Sequence, residues 1–274
     1  MKKILLIGST GYIGKRLIKI IKKNFQIITP QRKKSFIDIS NKDSLKKFIS
    51  NDLDYIINLS GQESTKKIMK KIILQGNKNI IELVSKLKKK IEVIFFSTSL
   101  VYGYSKYQIK ENSKINPLSD YAKIKTQAEK LYIKSKIHFR LLRVSNVYDK
   151  IYEGRSVIRK IFNSIYSKNK INISNINCFR NYISLDDLCL SINKMLCSGL
   201  NKKNIYNLGN ENLKLITIIK MFETSSRRKV NYYNNRIKLK NIPSQKINNN
   251  LFNEEFEVLY RDQLENKIKN FYTT

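Results

Sequence analysis

Apolar residues recur in two rhythms along the first 145 positions. Short apolar runs fall at 3–7, 25–29, 36–39, 55–59, 93–97 and 139–144, each bounded by polar residues, glycine or proline. They predict β-strands. Between them lie longer stretches whose apolar residues return every three or four positions, the spacing of a helical stripe. The stretch 12–23 puts Ile13, Leu17, Ile20 and Ile21 on one side. Further helices are expected at 43–49 with Asn41 as cap, within 66–89, and at 120–135. Alternation of this kind builds βαβ units and an α/β fold with a doubly wound parallel sheet, Rossmann-like in architecture.

Beyond Val144 the rhythm loosens. Residues 163–177 are rich in Asn, Lys and Ser and read as a loop. Helices are expected at 185–196, 213–222 and 262–271, and a strand at 205–208. Residues 229–250 are too polar to assign. No internal repeat is visible. The change of rhythm divides the chain into a regular half over 1–145 and a looser, mainly substrate-shaping lobe over 146–274, some of whose segments return to the sheet.

Composition narrows the class. The chain has 274 residues and is 41% hydrophobic, enough for a real core. Every apolar run is broken by Lys or Asn within about ten residues, too short for a membrane span. The opening Met1-Lys2-Lys3-Ile4 is followed by only a few apolar residues before Gly8, so it reads as a strand and not a signal peptide. A cytoplasmic chain is expected. Cys178, Cys189 and Cys197 form no Cys-x-x-Cys pair, which argues against a disulfide framework or zinc site. The single histidine, His138, opens an expected strand and leaves no basis for a Ser-His-Asp triad; no metal site is expected. A net charge of +33 raises the question of nucleic acid. The lysines are dispersed, however, and accompany abundant Asn and Ile, the signature of an AT-rich coding sequence. Such a charge favours anionic ligands generally.

The first chemical signal is Gly8-Ser9-Thr10-Gly11-Tyr12-Ile13-Gly14, set between a strand and an amphipathic helix. Glycines permit a tight turn and let backbone N–H groups approach a pyrophosphate, whose charge the helix N-terminus favours. The second is Tyr121-Ala122-Lys123-Ile124-Lys125, which places Tyr121 and Lys125 four apart on one helix face. A phenol titrates near ~10, and lowering it by ~3 units needs ~4 kcal/mol of phenolate stabilisation. A lysine ammonium ~4 Å away at moderate effective dielectric is an interaction of that size. The pair can therefore serve as an acid/base couple for a hydroxyl that gains or loses hydride.

Seven segments together resemble the extended short-chain dehydrogenase/reductase family, also called the NAD-dependent epimerase/dehydratase family, whose members modify nucleotide sugars. They are the glycine loop, Asp38-Ile39, Asn58-Leu59-Ser60-Gly61, Ser97-Thr98-Ser99-Leu100-Val101-Tyr102-Gly103, the Tyr121–Lys125 signature, Leu142-Arg143-Val144-Ser145-Asn146-Val147-Tyr148, and Arg180-Asn181-Tyr182-Ile183-Ser184-Leu185-Asp186-Asp187. Ile205-Tyr206-Asn207-Leu208-Gly209 adds a further match. The resemblance implies that NAD or NADP binds through Gly8, Thr10, Gly11, Tyr12, Ile13, Gly14, Asp38, Ile39, Leu59, Ser60 and Gly61, with Tyr121 and Lys125 at the nicotinamide end. It implies Thr98, four residues before Tyr102, as the hydroxyl that binds the reacting oxygen. Thr98, Ser99, Asn146, Arg180 and Tyr182 become the expected substrate contacts, with Arg180 on a diphosphate. A homodimer and a place in polysaccharide biosynthesis are implied as well.

Two details refine the expectation. Dehydratases of the family carry Asp-Glu just after the hydroxyl, where this chain has Ser99-Leu100. Leu cannot move a proton, so an epimerase or a 4-ketoreductase is favoured. No acid follows the second strand, where Thr29-Pro30-Gln31-Arg32 stands; Arg32 tilts the expectation toward NADP. Asp149 replaces the usual Gly after the Val-Tyr pair, and the segment 146–180 is short for the family. The alternatives to an enzyme are a catalytically silent dinucleotide-binding scaffold and, less favoured, a nucleic-acid binder.

Overall fold

The computed structural model describes residues 1–30, 37–61, 63–150, 156–167, 170–199, 203–235 and 244–273. In chain order the elements are β1 (Lys3–Ile7), α1 (Tyr12–Ile21), β2 (Gln26–Ile28), α2 (Lys42–Lys46), β3 (Tyr55–Asn58), α3 (Lys66–Met69), a π-helical stretch (Lys70–Gln75), α4 (Gly76–Val84), β4 (Glu92–Thr98), a 3-10 turn (Ser99–Tyr102), α5 (Asp120–Lys134) and β5 (His138–Val144). They continue with β6 (Asn146–Tyr148), α6 (Val157–Tyr166), β7 (Ile171–Ser174), β8 (Phe179–Ser184), α7 (Leu185–Ser198), β9 (Ile205–Leu208), β10 (Glu211–Lys214), α8 (Leu215–Ser226), β11 (Tyr232–Asn235), α9 (Asn250–Phe256) and α10 (Leu264–Thr273). The chain divides into two compact units: 1–103 with 114–144 and 192–206, and 104–113 with 145–191 and 207–274.

The first unit is built on a sheet of order β2-β1-β3-β4-β5-β9. Neighbours from β2 to β5 are parallel. The expected doubly wound sheet is therefore present. Strand order reverses at β1, where the chain passes to β2 on one side and later to β3 on the other. In such sheets that crevice, at the carboxyl ends of the strands, is where ligands bind. Burial on both faces explains why β1, β3 and β4 are nearly continuous apolar runs. Leu5, Ile7, Ile56, Phe95 and Leu141 from the sheet pack with Ile73, Ile80, Ala128 and Tyr132 from the helices in one core. Asn41 caps α2 as expected, accepting from the Ser44 N–H at 3.1 Å. The expected strand at 36–39 does not form over 37–39; residue 36 lies outside the described residues. The Asp38 carboxylate instead accepts from the Ser40 N–H and hydroxyl, and its carbonyl accepts from the Asn41 N–H. Those local bonds close a turn and compete with a strand ladder.

The second unit holds a three-stranded sheet, β10-β8-β6, and a parallel pair, β11-β7. Ile158, Ile161, Ile218, Phe222, Leu264 and Ile268 form its core. The loop expected at 163–177 is corrected here: α6 runs through Tyr166 and β7 occupies Ile171–Ser174. Polar composition hid a helical stripe in which Ile158, Ile161 and Ile165 are buried. β7 gained its pairing from β11, a partner far along the chain. No helix among the described residues is long and apolar enough to cross a membrane.

Candidate functional site

The glycine loop turns directly out of β1 into α1. Gly8 adopts φ +86°, a left-handed conformation that favours glycine. A Cβ there would also press within 3.1 Å of the Leu59 Cβ. At Gly14 an added Cβ would collide with the Gly8 carbonyl oxygen and lie 2.8 Å from the Ser9 Cα. The helix therefore packs on its own loop at a distance only glycine allows. Gly11 starts α1 with extended backbone and no side-chain cap, so the first N–H groups of the helix keep their affinity for an anion. Thr10 and Tyr12 are exposed there, and Ile13 is half-buried.

Beside the loop lies a cavity of about 200 Å³ lined by Ile7, Gly8, Ser9, Thr10, Pro30, Ile37, Asp38, Ile39, Ser60 and Ile72. It brings together the expected residues Gly8, Thr10, Asp38, Ile39 and Ser60, and adds Ser9, Pro30, Ile37 and Ile72, which carried no sequence signal beyond their neighbours. Hydrogen bonds from Ser40 hold the Asp38 carboxyl below its usual range, aided by Lys71 at 3.8 Å and opposed by partial burial. Asp38 is thus an anion at the apolar rim. Arg32 lies outside the described residues. A larger hollow of about 500 Å³ meets Tyr55, Glu92 and His138 at the amino ends of β3, β4 and β5. Parallel sheets place ligands at the other end, so the smaller cavity is the stronger candidate.

Ser60 is fixed from behind. Its N–H and hydroxyl donate to the Asn58 side-chain oxygen at 3.0 and 2.6 Å. Asn58 in turn donates to Asn77, which also accepts from the Tyr132 hydroxyl at 2.6 Å. This buried chain links β3, α4 and α5 and aims Ser60 at the cavity. Gly61 takes φ +95°, and a side chain there would strike Ile73. Leu59 donates its N–H to the Ile7 carbonyl, extending the β1–β3 pairing up to the loop.

Lys125 connects this cavity to α5. It is 2% exposed, and its Nζ donates to the Phe96 carbonyl at 2.8 Å and reaches the Ser60 carbonyl at 3.5 Å. The same ammonium lies 4.7 Å from the centroid of Phe95 and 5.7 Å from that of Tyr121. Burial pulls its pKa down to about 7, against the opposing field of Glu129. Burial, and then the charge of Glu63, push Tyr121 up to about 12. In the chain alone burial thus holds the phenol protonated. Thr98 ends β4, 8% exposed, and its hydroxyl accepts from the Leu100 N–H at 3.2 Å as the cap of the 3-10 turn. That leaves the hydroxyl proton available to donate. Ser99 is buried within the turn, whereas Leu100 is 40% exposed.

The remaining expected substrate residues all belong to the second unit. Asn146 on β6 donates to the Asn181 carbonyl at 2.9 Å. Arg180 on β8 stacks on Tyr104, 4.9 Å from the guanidinium carbon to the ring centroid, and donates to the Phe179 carbonyl and the Tyr104 hydroxyl. A flat, stacked guanidinium is suited to bidentate phosphate contact. Tyr182 is 2% exposed and packed into the core of its unit. No cluster of metal-ligating side chains occurs among the described residues.

The model of the NAD dependent epimerase/dehydratase family matches residues 4–209, spanning the glycine loop, the Tyr121–Lys125 helix and β9. The chain belongs to that family. A relative from Methanocaldococcus jannaschii, provisionally named UDP-glucose 4-epimerase, is 29% identical over 236 residues, covering 75% of this chain and 76% of the relative. Among solved structures, RMD from Pseudomonas aeruginosa complexed with NADPH aligns at TM-score 0.83 and 16% identity over 100% of this chain and 98% of its own. UDP-glucuronic acid 4-epimerase from Bacillus cereus, in complex with UDP-glucuronic acid and NAD, aligns at TM-score 0.80 and 20% identity over 99% and 98%. These two likenesses establish the Rossmann-like fold of the family. The resemblance seen in the sequence is thereby borne out, and with it an NAD-dependent enzyme class.

Proposed function

We propose that the chain is an NAD(P)-dependent nucleotide-sugar epimerase or 4-ketoreductase that uses Tyr121 as acid/base. The observation that carries this reading is the placement of Lys125, whose buried Nζ reaches the Ser60 carbonyl at the edge of the glycine-loop cavity, one helical turn beyond Tyr121. The cavity fits an adenosine portion: an apolar floor of Ile7, Ile37 and Ile72, a carboxylate at Asp38, and a glycine turn beside it for the pyrophosphate. The cofactor would supply the hydride acceptor and, when oxidised, a positive charge.

Oxidation of a secondary alcohol removes a hydride from carbon and a proton from oxygen. Tyr121 takes the proton and returns it on reduction. Thr98 donates a hydrogen bond to the same oxygen. Lys125 would hold the nicotinamide ribose, and its ammonium, 5.7 Å from the Tyr121 ring centroid, adds positive field at the phenol. That field matters because Tyr121 begins near 12, some five units above neutral pH. Arg180 and Asn146 bind the substrate diphosphate, and Ser99 and Tyr182 shape its surroundings. Leu100 disfavours dehydration, since it occupies an acid's place in the turn. The named relatives support a sugar carbon-4 substrate class, one being a provisional UDP-glucose 4-epimerase. NADP is favoured through Arg32, in a cytoplasmic homodimer.

The test is a panel of UDP-, GDP- and dTDP-linked sugars and their 4-keto forms, each with NAD⁺, NADH and NADPH. Products are read by mass and nicotinamide absorbance. Turnover of at least one sugar, lost in Tyr121→Phe with cofactor binding intact, is expected. Cofactor binding without turnover of any sugar in the panel would instead favour a silent scaffold. Arg32→Ala should weaken NADPH more than NADH.

A further inference from the structure

We propose that Glu129 is a positioning residue for this reaction: locked between Arg143 and Ser97, it fixes a buried negative charge one helical turn from Lys125, on the face of α5 that carries Tyr121 and Lys125. The proposal rests on the reading of Lys125 given above and deepens it.

Glu129 and Arg143 are a charge pair 2% and 3% exposed. The Arg143 Nη2 donates to Glu129 at 2.8 Å and its Nε at 3.2 and 3.3 Å. The Ser97 hydroxyl donates to the same carboxylate. Arg143 Nη1 donates to the Tyr102 hydroxyl at 2.7 Å, and the guanidinium sits 4.8 Å over that ring. Ser97 and Arg143 are register partners across β4 and β5. One buried cluster therefore ties together the residue before Thr98, the turn that Thr98 caps, and the helix carrying Tyr121 and Lys125.

A buried ion pair is a poor way to gain stability, because desolvation of both ions consumes most of the attraction. An apolar filling would serve a purely structural role as well. What the pair does supply is a fixed charge one helical turn from Lys125, on the same face of α5. The other groups around Lys125 are the Phe96 and Ser60 carbonyls and the Phe95 ring. The titratable groups on its own helix face are Tyr121, Glu129 and Tyr132; Arg143 on β5 and Tyr102 on the 3-10 turn are bonded into the Glu129 cluster, and Glu63 after β3 acts on Tyr121. Of these, Glu129 is the anion that opposes the effect of burial on Lys125. Removing its charge also leaves Arg143 as an uncompensated cation, so both changes push the proton off Lys125.

The measurement is the titration of the Lys125 ¹³Cε resonance in the full, cofactor-free chain, assigned by its loss in Lys125→Met. Glu129→Gln should lower the Lys125 midpoint by about one to two units, the size of one charge a helical turn away at moderate effective dielectric. Glu129→Asp should retain most of the wild-type midpoint. NADH affinity, followed by fluorescence, should fall in Glu129→Gln at a pH where wild-type Lys125 is still charged. Should the unpaired Arg143 unfold that variant, Glu129→Gln/Arg143→Met removes both charges and should show a smaller downward shift. A folded variant of either kind whose Lys125 titrates as in wild type overturns the proposal. Lys125→Met separates the two readings. Normal cofactor binding and turnover in it sink both the site and this proposal. Loss there, with an unmoved midpoint in Glu129→Gln, sinks the Glu129 role alone.

Discussion

Lys125→Met should change how the stability of the protein depends on pH, apart from anything it does to catalysis. Lys125 falls from an ordinary value of 10.5 to about 7 in the folded chain, principally through burial. At 1.36 kcal/mol per unit, that shift is a penalty of about 5 kcal/mol for carrying the charged form inside the protein. The sign follows from proton counting. Below about pH 7 the lysine is charged both folded and unfolded, and the whole penalty stands. Between about 7 and 10.5 the unfolded chain holds a proton that the folded chain has released, so wild-type stability rises with pH by up to ~1.4 kcal/mol per unit from this group. Met has no proton to exchange. The stability of wild type relative to the Met variant should therefore be lowest at pH 6 and rise as pH goes from about 7 toward 10. The lost hydrogen bonds to the Phe96 and Ser60 carbonyls offset the two curves by an amount independent of pH, so only the slope of the difference is diagnostic. Urea unfolding of both proteins at closely spaced pH values, without cofactor, supplies it. Parallel curves would refute the reasoning: Lys125 would then be solvated or ion-paired in the folded chain and would titrate near its ordinary value.

Three further outcomes follow. Gly14→Ala should cost about 1–3 kcal/mol by overpacking, because its new carbon meets loop backbone and not a movable side chain; thermal unfolding and NADH titration would read the stability and cofactor effects. Tyr132→Phe should destabilise by about 1–2 kcal/mol, since it deletes the 2.6 Å buried hydrogen bond to Asn77, and equal denaturation midpoints would argue that the Asn58–Asn77 chain does not need it. Arg180→Ala should weaken UDP binding roughly 10- to 100-fold in calorimetry, the worth of a charged hydrogen bond, while NADH affinity stays the same, and Arg180→Lys should recover only part because it lacks the planar fork.

Much of the first unit was legible because its signals are local. Strand β1 and the glycine turn are written in consecutive residues, and Asn41 caps α2 through its own side chain. Where structure depends on distant partners the sequence is silent. β7 exists because β11 lies beside it, and 163–177 reads as loop until Ile158, Ile161 and Ile165 are seen to face a core. The turn at Asp38 was misread as strand for a related reason. Its apolar neighbours suggested a ladder, but Ser40 and Asn41 offered the backbone closer partners.

The same division runs through the chemistry. Spacing brought Tyr121 and Lys125 onto one helix face, yet it could not reveal their protonation states. Spacing alone implies a fully charged ammonium beside the phenol. Burial instead takes Lys125 to about 7 and Tyr121 to about 12, so each group disfavours its reactive form until other charges are present. A pair that idles in this way needs electrostatic support from outside itself. The cofactor can bring one such charge, but only when bound. Glu129 is present at all times, and it too sits at a fixed spacing of four from Lys125, readable in the sequence once the ion pair with Arg143 shows that the position is buried. Sequence spacing thus identifies which residues meet. Burial decides which of them carry charge, and it is charge that the proposed proton transfer requires.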